Sequence, residues 1–214
     1  MADRTIPRDP DDEIRNDVWL VRHGETDWAR LGRHTGRTDV PLTETGRDQA
    51  RDLGRRLAGH AFDLVLTSPL SRAAETAALA GYGGIARVDQ DLQEWDYGTL
   101  EGRLTADIRR DFPGWSIWQG PWPNGETIDQ VAARADRVAA RARAADGDVL
   151  VFAHGHLLRV LAARWLDLAP TAGGLFALGT ATLSVLGWDR ESAVIETWNE
   201  ACVGARVSVD PSTG

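Results

Sequence analysis

The chain contains no lysine; all 24 of its basic residues are arginine. That absence removes whole reaction classes, because a P-loop phosphate lysine, a pyridoxal Schiff base and a lysine nucleophile all require the ε-amino group. Cysteine is nearly missing too. Cys202, the only one, cannot close an internal disulfide and offers no thiolate cluster to a metal, so a cytoplasmic setting is the default expectation. No apolar run approaches the ~18 residues that a membrane span requires. The polar start "MADRTIPRDPDDEIRND" lacks the apolar stretch of a signal peptide. Positive charge is also in deficit: 32 acidic against 24 basic residues leave a formal charge of −8, which argues against nucleic acid as a partner.

What is present is ordinary globular chain, 214 residues with 43% apolar and 26% charged content. Residues 1–16 read as a loose leader, 17–205 as one domain and 206–214 as a tail. Strand-like and helix-like segments alternate. Val18–Val21 is a short buried strand. "PLTETGRDQARDLGRRLAG" is a helix with Thr43 as N-cap and an apolar face at Ala50, Leu53, Leu57 and Ala58. "FDLVLTS" (62–68) is a second strand, followed by Ser68 as N-cap and Pro69 as first helical residue of "LSRAAETAALAG". A weaker strand covers 85–90. Residues 91–125 are tryptophan- and turn-rich, with a short helix near 104–111. The longest helix runs over 126–145, with Glu126 and Thr127 as capping residues, and a fully apolar strand over 148–153 leads into the buried helix "LLRVLAARWL". "ATLSVLGW" and "AVIETWN" form a closing pair of strands. The pattern is α/β: a three-layer αβα sandwich around a mostly parallel sheet with helices on both faces.

Ligands of such sheets bind outside the carboxyl ends of the strands. Three strands finish there in unusual chemistry: "LVRHGET", "LTSPLSRAAET" and "LVFAHGH". Parallel strands would bring Arg22, His23, Arg72 and His154 to one crevice, with the helices holding Arg72 and following His154 aiming free N–H groups at the same spot. Two guanidiniums, two imidazoles and two helix ends suit a tetrahedral oxyanion, most simply a phosphoryl group. Arg22, Arg30, Arg33 and Arg37, all within sixteen residues, supply a local positive cluster against the acidic whole. Thr35 and Gly36, in "GRHTGRTD", are candidate phosphate contacts through hydroxyl and backbone N–H. His34 and His156 read as structural or rim residues. Trp28, Trp115 and Trp118 suggest a partly apolar wall, and Arg33 and Arg37 a second anionic group on the substrate.

"LVRHGET", "TSPLSRAAET", "EWDYGTLEG" and "FAHGH" resemble, in order, the signature segments of the histidine phosphatase superfamily, whose fold is phosphoglycerate-mutase-like. The likeness spans roughly residues 17 to 200. It is closer to the small phosphatases, the branch holding sedoheptulose-bisphosphatase-like enzymes and bacterial acid phosphatases. The resemblance implies a phosphomonoesterase acting on a small phosphorylated metabolite, such as a sugar phosphate. It makes His23 the nucleophile, Arg22, Arg72 and His154 the phosphoryl ligands and Glu94 the proton donor. No metal and no cofactor enter, and a homodimer stays open.

The sequence departs from the mutases of that superfamily. They usually carry asparagine six residues past the nucleophile, where this chain has Ala29, and a lysine where it has Thr105. Only about two dozen residues separate Gly102 from Glu126, too few for the long mutase insertion. Hydrolysis is therefore favoured over phosphoryl migration. A non-catalytic phosphoryl-binding domain is a further alternative. So is a metal hydrolase using His154 and His156, should the strand persist and put both on one face.

Overall fold

The computed structural model describes residues 15–201. Strand β1 (Val18–Arg22) leads through one helical turn, α1 (Asp27–Arg30), to α2 (Glu44–Leu57). Next come β2 (Leu64–Thr67), α3 (Ser71–Leu79) and β3 (Arg87–Val88), followed by α4 (Thr105–Asp111) and α5 (Ile128–Arg143). The chain then forms β4 (Val149–Ala153), α6 (Gly155–Trp165) and the hairpin of β5 (Thr182–Asp189) and β6 (Ser192–Ala201). The strands make one sheet in the order β3-β2-β4-β1-β5-β6. β1 to β4 pair in parallel, and β5 runs antiparallel to both β1 and β6.

Side chains of successive strand residues point to opposite faces, and both faces are apolar. Val18, Leu20, Val149, Val151 and Ala153 pack with Val131, Ala135 and Val138 of α5 and Leu158 and Leu161 of α6. Val21, Val65, Leu150 and Phe152 pack with Leu53 and Leu57 of α2 and Ala77 of α3. The result is the expected three-layer sandwich. β4 lies between β1 and β2, so the carboxyl ends carrying Arg22, Ser68 and Ala153 are neighbours.

Local differences from the sequence reading each have a cause. Thr43 caps α2 as expected, its hydroxyl accepting from Gly46 N at 3.0 Å. Ala58 lies past the helix end and is exposed. Ser68 is not the cap of α3, which starts at Ser71. Asp39 caps it instead, accepting from Ser71 N at 2.9 Å and from the Ser71 hydroxyl at 2.8 Å. The 85–90 strand shrinks to Arg87–Val88, both exposed beyond β2 at the sheet edge. The long helix begins only after Thr127, which forms a capping box with Gln130. Arg15 and Asn16 belong to the folded body: Arg15 lies 4.6 Å over the Trp188 ring, and the buried Asn16 amide donates to Ala142 O. The rest of the expected leader, the tail and Cys202 lie outside the described residues. Among the described residues no helix is long and apolar enough to cross a membrane.

Candidate active site

His23 leaves β1 just after Arg22, with its own N–H on Ala153 O of β4 at 3.0 Å. From the other side, Ala181 N donates to Arg22 O at 3.2 Å and His23 O at 3.0 Å. Ala181 does so in the left-handed region, at φ 52°, which costs an alanine of order 1 kcal/mol. The backbone of the Arg22–His23 pair is thus fixed by both neighbouring strands. Gly24 is required: a Cβ there would sit 2.3 Å from Gly46 O in the first turn of α2.

The His23 ring is almost wholly buried, and its Nδ1 lies 2.8 Å from Gly24 O. A carbonyl only accepts, so Nδ1 carries the proton and the lone pair resides on Nε2. Burial, then the cations of Arg72 and Arg22, hold this imidazole well below its ordinary pKa of about 6.5. At neutral pH it is uncharged, with one nitrogen free to attack.

His154 stands beside it, ring centroids 5.2 Å apart. It is fully buried, and its pKa too is lowered well below the ordinary value, by burial and then Arg72, His23 and Arg22. Its Nε2 meets Ser68 Oγ at 2.7 Å, while Nδ1 has no hydrogen-bond partner among the described residues. Arg72 is wholly buried in the first turn of α3, donating to Thr38 O at 3.0 Å and Gly36 O at 2.8 Å. Burial lowers its pKa and the nearby Glu94 opposes the shift, yet a guanidinium remains charged. Arg22 is buried and donates to Leu178 O. The four strand-end residues lie together, Arg22 and His23 lining the crevice and Arg72 and His154 wholly buried beside them.

Glu94 completes the group from the loop before Trp95. Its Oε1 accepts from Trp95 N and from Leu157 N, each at 2.9 Å, and its Oε2 from His156 N at 3.1 Å. This carboxylate satisfies the first turn of α6 as a cap would. The expectation of free N–H groups at both helix ends is therefore corrected: Asp39 occupies the start of α3 and Glu94 that of α6. Positive charge in the crevice comes from side chains.

An open pocket lies over these groups. Arg22, His23 and Glu94 form its floor, with Ala29, Arg33, Thr35 and Tyr97 around them. Arg72 and His154 lie behind, at 0% exposure. Thr35 faces the pocket and donates its hydroxyl to Arg33 O at 3.1 Å. Gly36 is buried and presents its carbonyl to Arg72; a Cβ there would lie 2.6 Å from Trp95 O. Its contribution to the pocket is this carbonyl, through Arg72, where the sequence suggested its N–H.

The arginine cluster divides. Arg33 stands at the rim, Arg30 pairs with Asp27 at 2.8 Å and Arg37 with Glu126 at 3.4 Å. The tryptophan wall is not formed. Trp115 is buried edge-on to His34, Trp118 lies under the Arg159 guanidinium, and Trp28 covers Gly102. His34 and His156 are buried and line the pocket. His156 Nδ1 shares a hydrogen bond with the Tyr97 hydroxyl at 2.6 Å, while His154 faces Ser68. Because β4 stops at Ala153 and α6 follows, the two histidines do not present a common ligand face. Sequence reasoning missed Ser68 and Arg134. The second left a signal: an arginine amid the apolar stripe Val131-Ala135-Val138.

Fold and crevice together define an α/β phosphatase of the phosphoglycerate-mutase-like type. The model of the histidine phosphatase superfamily (branch 1) matches residues 18–201, and the chain belongs to that superfamily. It is 43% identical over 190 residues to an acid phosphatase of Mycobacterium tuberculosis, covering 85% of this chain and 93% of the relative. It is 36% identical to sedoheptulose 1,7-bisphosphatase of Saccharomyces cerevisiae over 70% of this chain and 67% of that one. The solved structure of a Mycobacterium tuberculosis open reading frame product superposes with a TM-score of 0.82 at 39% identity, covering 87% of this chain and 98% of that chain.

Proposed function

We propose that this phosphatase hydrolyses a small phosphorylated metabolite, a sugar phosphate by preference, through a phosphohistidine on His23 with Glu94 as proton donor. The observation that carries the reading is the neutral His23 imidazole, with its Nδ1 proton committed to Gly24 O and its Nε2 unencumbered.

In the first step Nε2 attacks phosphorus, the P–O bond to the alcohol breaks, and the departing oxygen takes a proton from Glu94. Arg22, Arg72 and Nδ1–H of His154 hold the phosphoryl oxygens as charge shifts among them, and the Thr35 hydroxyl adds a contact. The Ser68 hydroxyl donates to His154 Nε2 in that tautomer. In the second step water attacks phosphorus, its proton passes to the Glu94 carboxylate and the P–N bond breaks. Inorganic phosphate and the starting enzyme result.

Two features favour water over a second hydroxyl as acceptor. Ala29 lines the pocket where mutases carry an asparagine, and Thr105 bonds His34 at 3.1 Å where they carry a lysine. Arg33 and Tyr97 beyond the phosphoryl site suit a hydroxylated substrate with a second anionic group, in keeping with the sugar bisphosphate named for the yeast relative. A phosphate-release screen over phosphomonoesters, with His23→Ala protein as blank, tests this. Turnover of sugar phosphates above simple alkyl phosphates is expected, and indifference to the alcohol would refute the sugar preference.

A further inference from the structure

Arg134 occupies a place where a guanidinium needs a reason. Val131, Ala135 and Val138 on the same face of α5 are fully buried, and Arg134 is itself only 8% exposed. It does not line the pocket, and no step of the reaction above uses it. We propose that Arg134, locked by Glu126, is a positioning residue that sets Glu94 for proton transfer. This inference rests on the reading of Glu94 as the proton donor.

The guanidinium gathers the main chain that carries Glu94. Its Nη1 donates to Asp91 O at 2.7 Å and Gln93 O at 2.8 Å, and its Nη2 to Glu94 O at 3.4 Å. Its Nε and Nη2 grip the Glu126 carboxylate in a fork, at 2.8 and 2.7 Å. Glu126 in turn holds the residues after Glu94: Oε2 accepts from Asp96 N at 3.0 Å, and its carbonyl from the Trp95 indole at 2.9 Å. Residues 91–96 are therefore clamped on both sides of the acid by one ion pair.

Burial pushes the Glu126 carboxyl up, but Arg134, Asp96 N–H and Arg37 together leave its pKa below the ordinary value, so the pair stays ionic. Arg37, reaching Glu126 at 3.4 Å, also ties in the loop that presents Thr35 to the pocket.

Five donors in a planar fork make this clamp, and lysine, with a single ammonium point, cannot reproduce it. A proton donor misplaced by about 1 Å can lose ~100-fold in rate. α6 holds the Glu94 side chain through two N–H groups, and α5 holds its backbone through Arg134. The acid thus hangs between the two helices of one layer, and its distance from the leaving group follows from both.

The test uses the full chain carrying Arg134→Lys, Glu126→Gln, Glu94→Gln and the double change Arg134→Lys/Glu94→Gln. kcat/KM is measured on p-nitrophenyl phosphate, whose leaving group needs no proton, and on glycerol phosphate, whose leaving group does. Arg134→Lys is expected to slow glycerol phosphate by about 10- to 100-fold and p-nitrophenyl phosphate by less than about 3-fold. Glu126→Gln should follow the same pattern more weakly, and it keeps the test alive if Arg134→Lys fails to fold. The double variant should be no slower than Glu94→Gln alone, since a residue that acts only through Glu94 has nothing further to lose. Equal losses on both substrates, or losses that multiply in the double variant, would reduce Arg134 to a structural strut. If Glu94→Gln alone shows no leaving-group dependence, the proton-donor reading fails, and that single variant reveals it independently of Arg134.

Discussion

Glu94 and Leu157, 63 residues apart in sequence, meet where the Leu157 N–H donates to Glu94 Oε1 at 2.9 Å. The proposed proton donor thus doubles as the cap of the helix that follows His154. This relationship couples chemistry to stability at one carboxyl group.

Glu94→Ala should consequently lose both. Leaving the first turn of α6 without its acceptor costs about 1–2 kcal/mol, measurable as a lower urea midpoint. Glu94→Gln keeps a carbonyl oxygen for the helix and should lose less than half of that. Its turnover of alkyl phosphates should nonetheless fall by about 100-fold or more. Equal stability of wild type and Glu94→Ala would contradict the capping role.

The pH dependence follows from three buried imidazoles. His23, His154 and His156 all have pKa values lowered well below the ordinary one, chiefly by burial. Between those lowered values and about 6.5 the unfolded chain binds more protons than the folded one, so stability rises with pH there. It should be complete above about pH 6.5 and fall as the solution is acidified through the window below, each histidine adding up to ~1.4 kcal/mol per pH unit. Urea titrations at pH 5.5 and 7.5 should show the difference, and a flat profile would contradict it. For the same reason the titration of His23 should add no acid inflection to kcat/KM near 6.5, because His23 stays neutral there.

Much of this was legible before folding, and particular residues explain how much. Arg22, His23 and His154 announce themselves because polar groups end apolar strands, and parallel topology brings such ends together. Thr43 is equally legible, since a cap is decided within one turn. Ser68 is not: Ser-Pro before a helical run carries every local sign of a cap, but Asp39, remote in sequence, takes that role and frees the hydroxyl for His154. The N–H groups of α6 were hidden likewise, because Glu94 reaches them only after the sheet has assembled. Trp115 and Trp118 could be read from sequence either as packing or as a pocket wall, because composition does not say whether an aromatic ring faces the pocket or the core.

Ser68→Ala tests the partner of His154. Removing the hydroxyl leaves Nε2 unpaired in a buried site at a cost of about 1–3 kcal/mol, and frees the ring to take the other tautomer. We expect kcat to fall about 10-fold on every substrate, with Ser68→Thr largely restoring it. Unchanged kcat in Ser68→Ala would contradict the proposed tautomer.

Arg33→Ala addresses the substrate. The guanidinium sits at the pocket rim, donating to Gly102 O at 2.6 Å. KM for a sugar bisphosphate should rise about 10-fold and KM for p-nitrophenyl phosphate should stay within about 2-fold. Equal changes for both would remove the second anion from the proposal.

The most direct measurement is quench-trapping of the phosphoenzyme during turnover of labelled p-nitrophenyl phosphate. The account requires an acid-labile, alkali-stable phosphoryl group on the wild-type chain, formed faster than steady-state turnover and absent from His23→Ala. Turnover without any such species, or its persistence after His23 is replaced, would contradict the account at its centre.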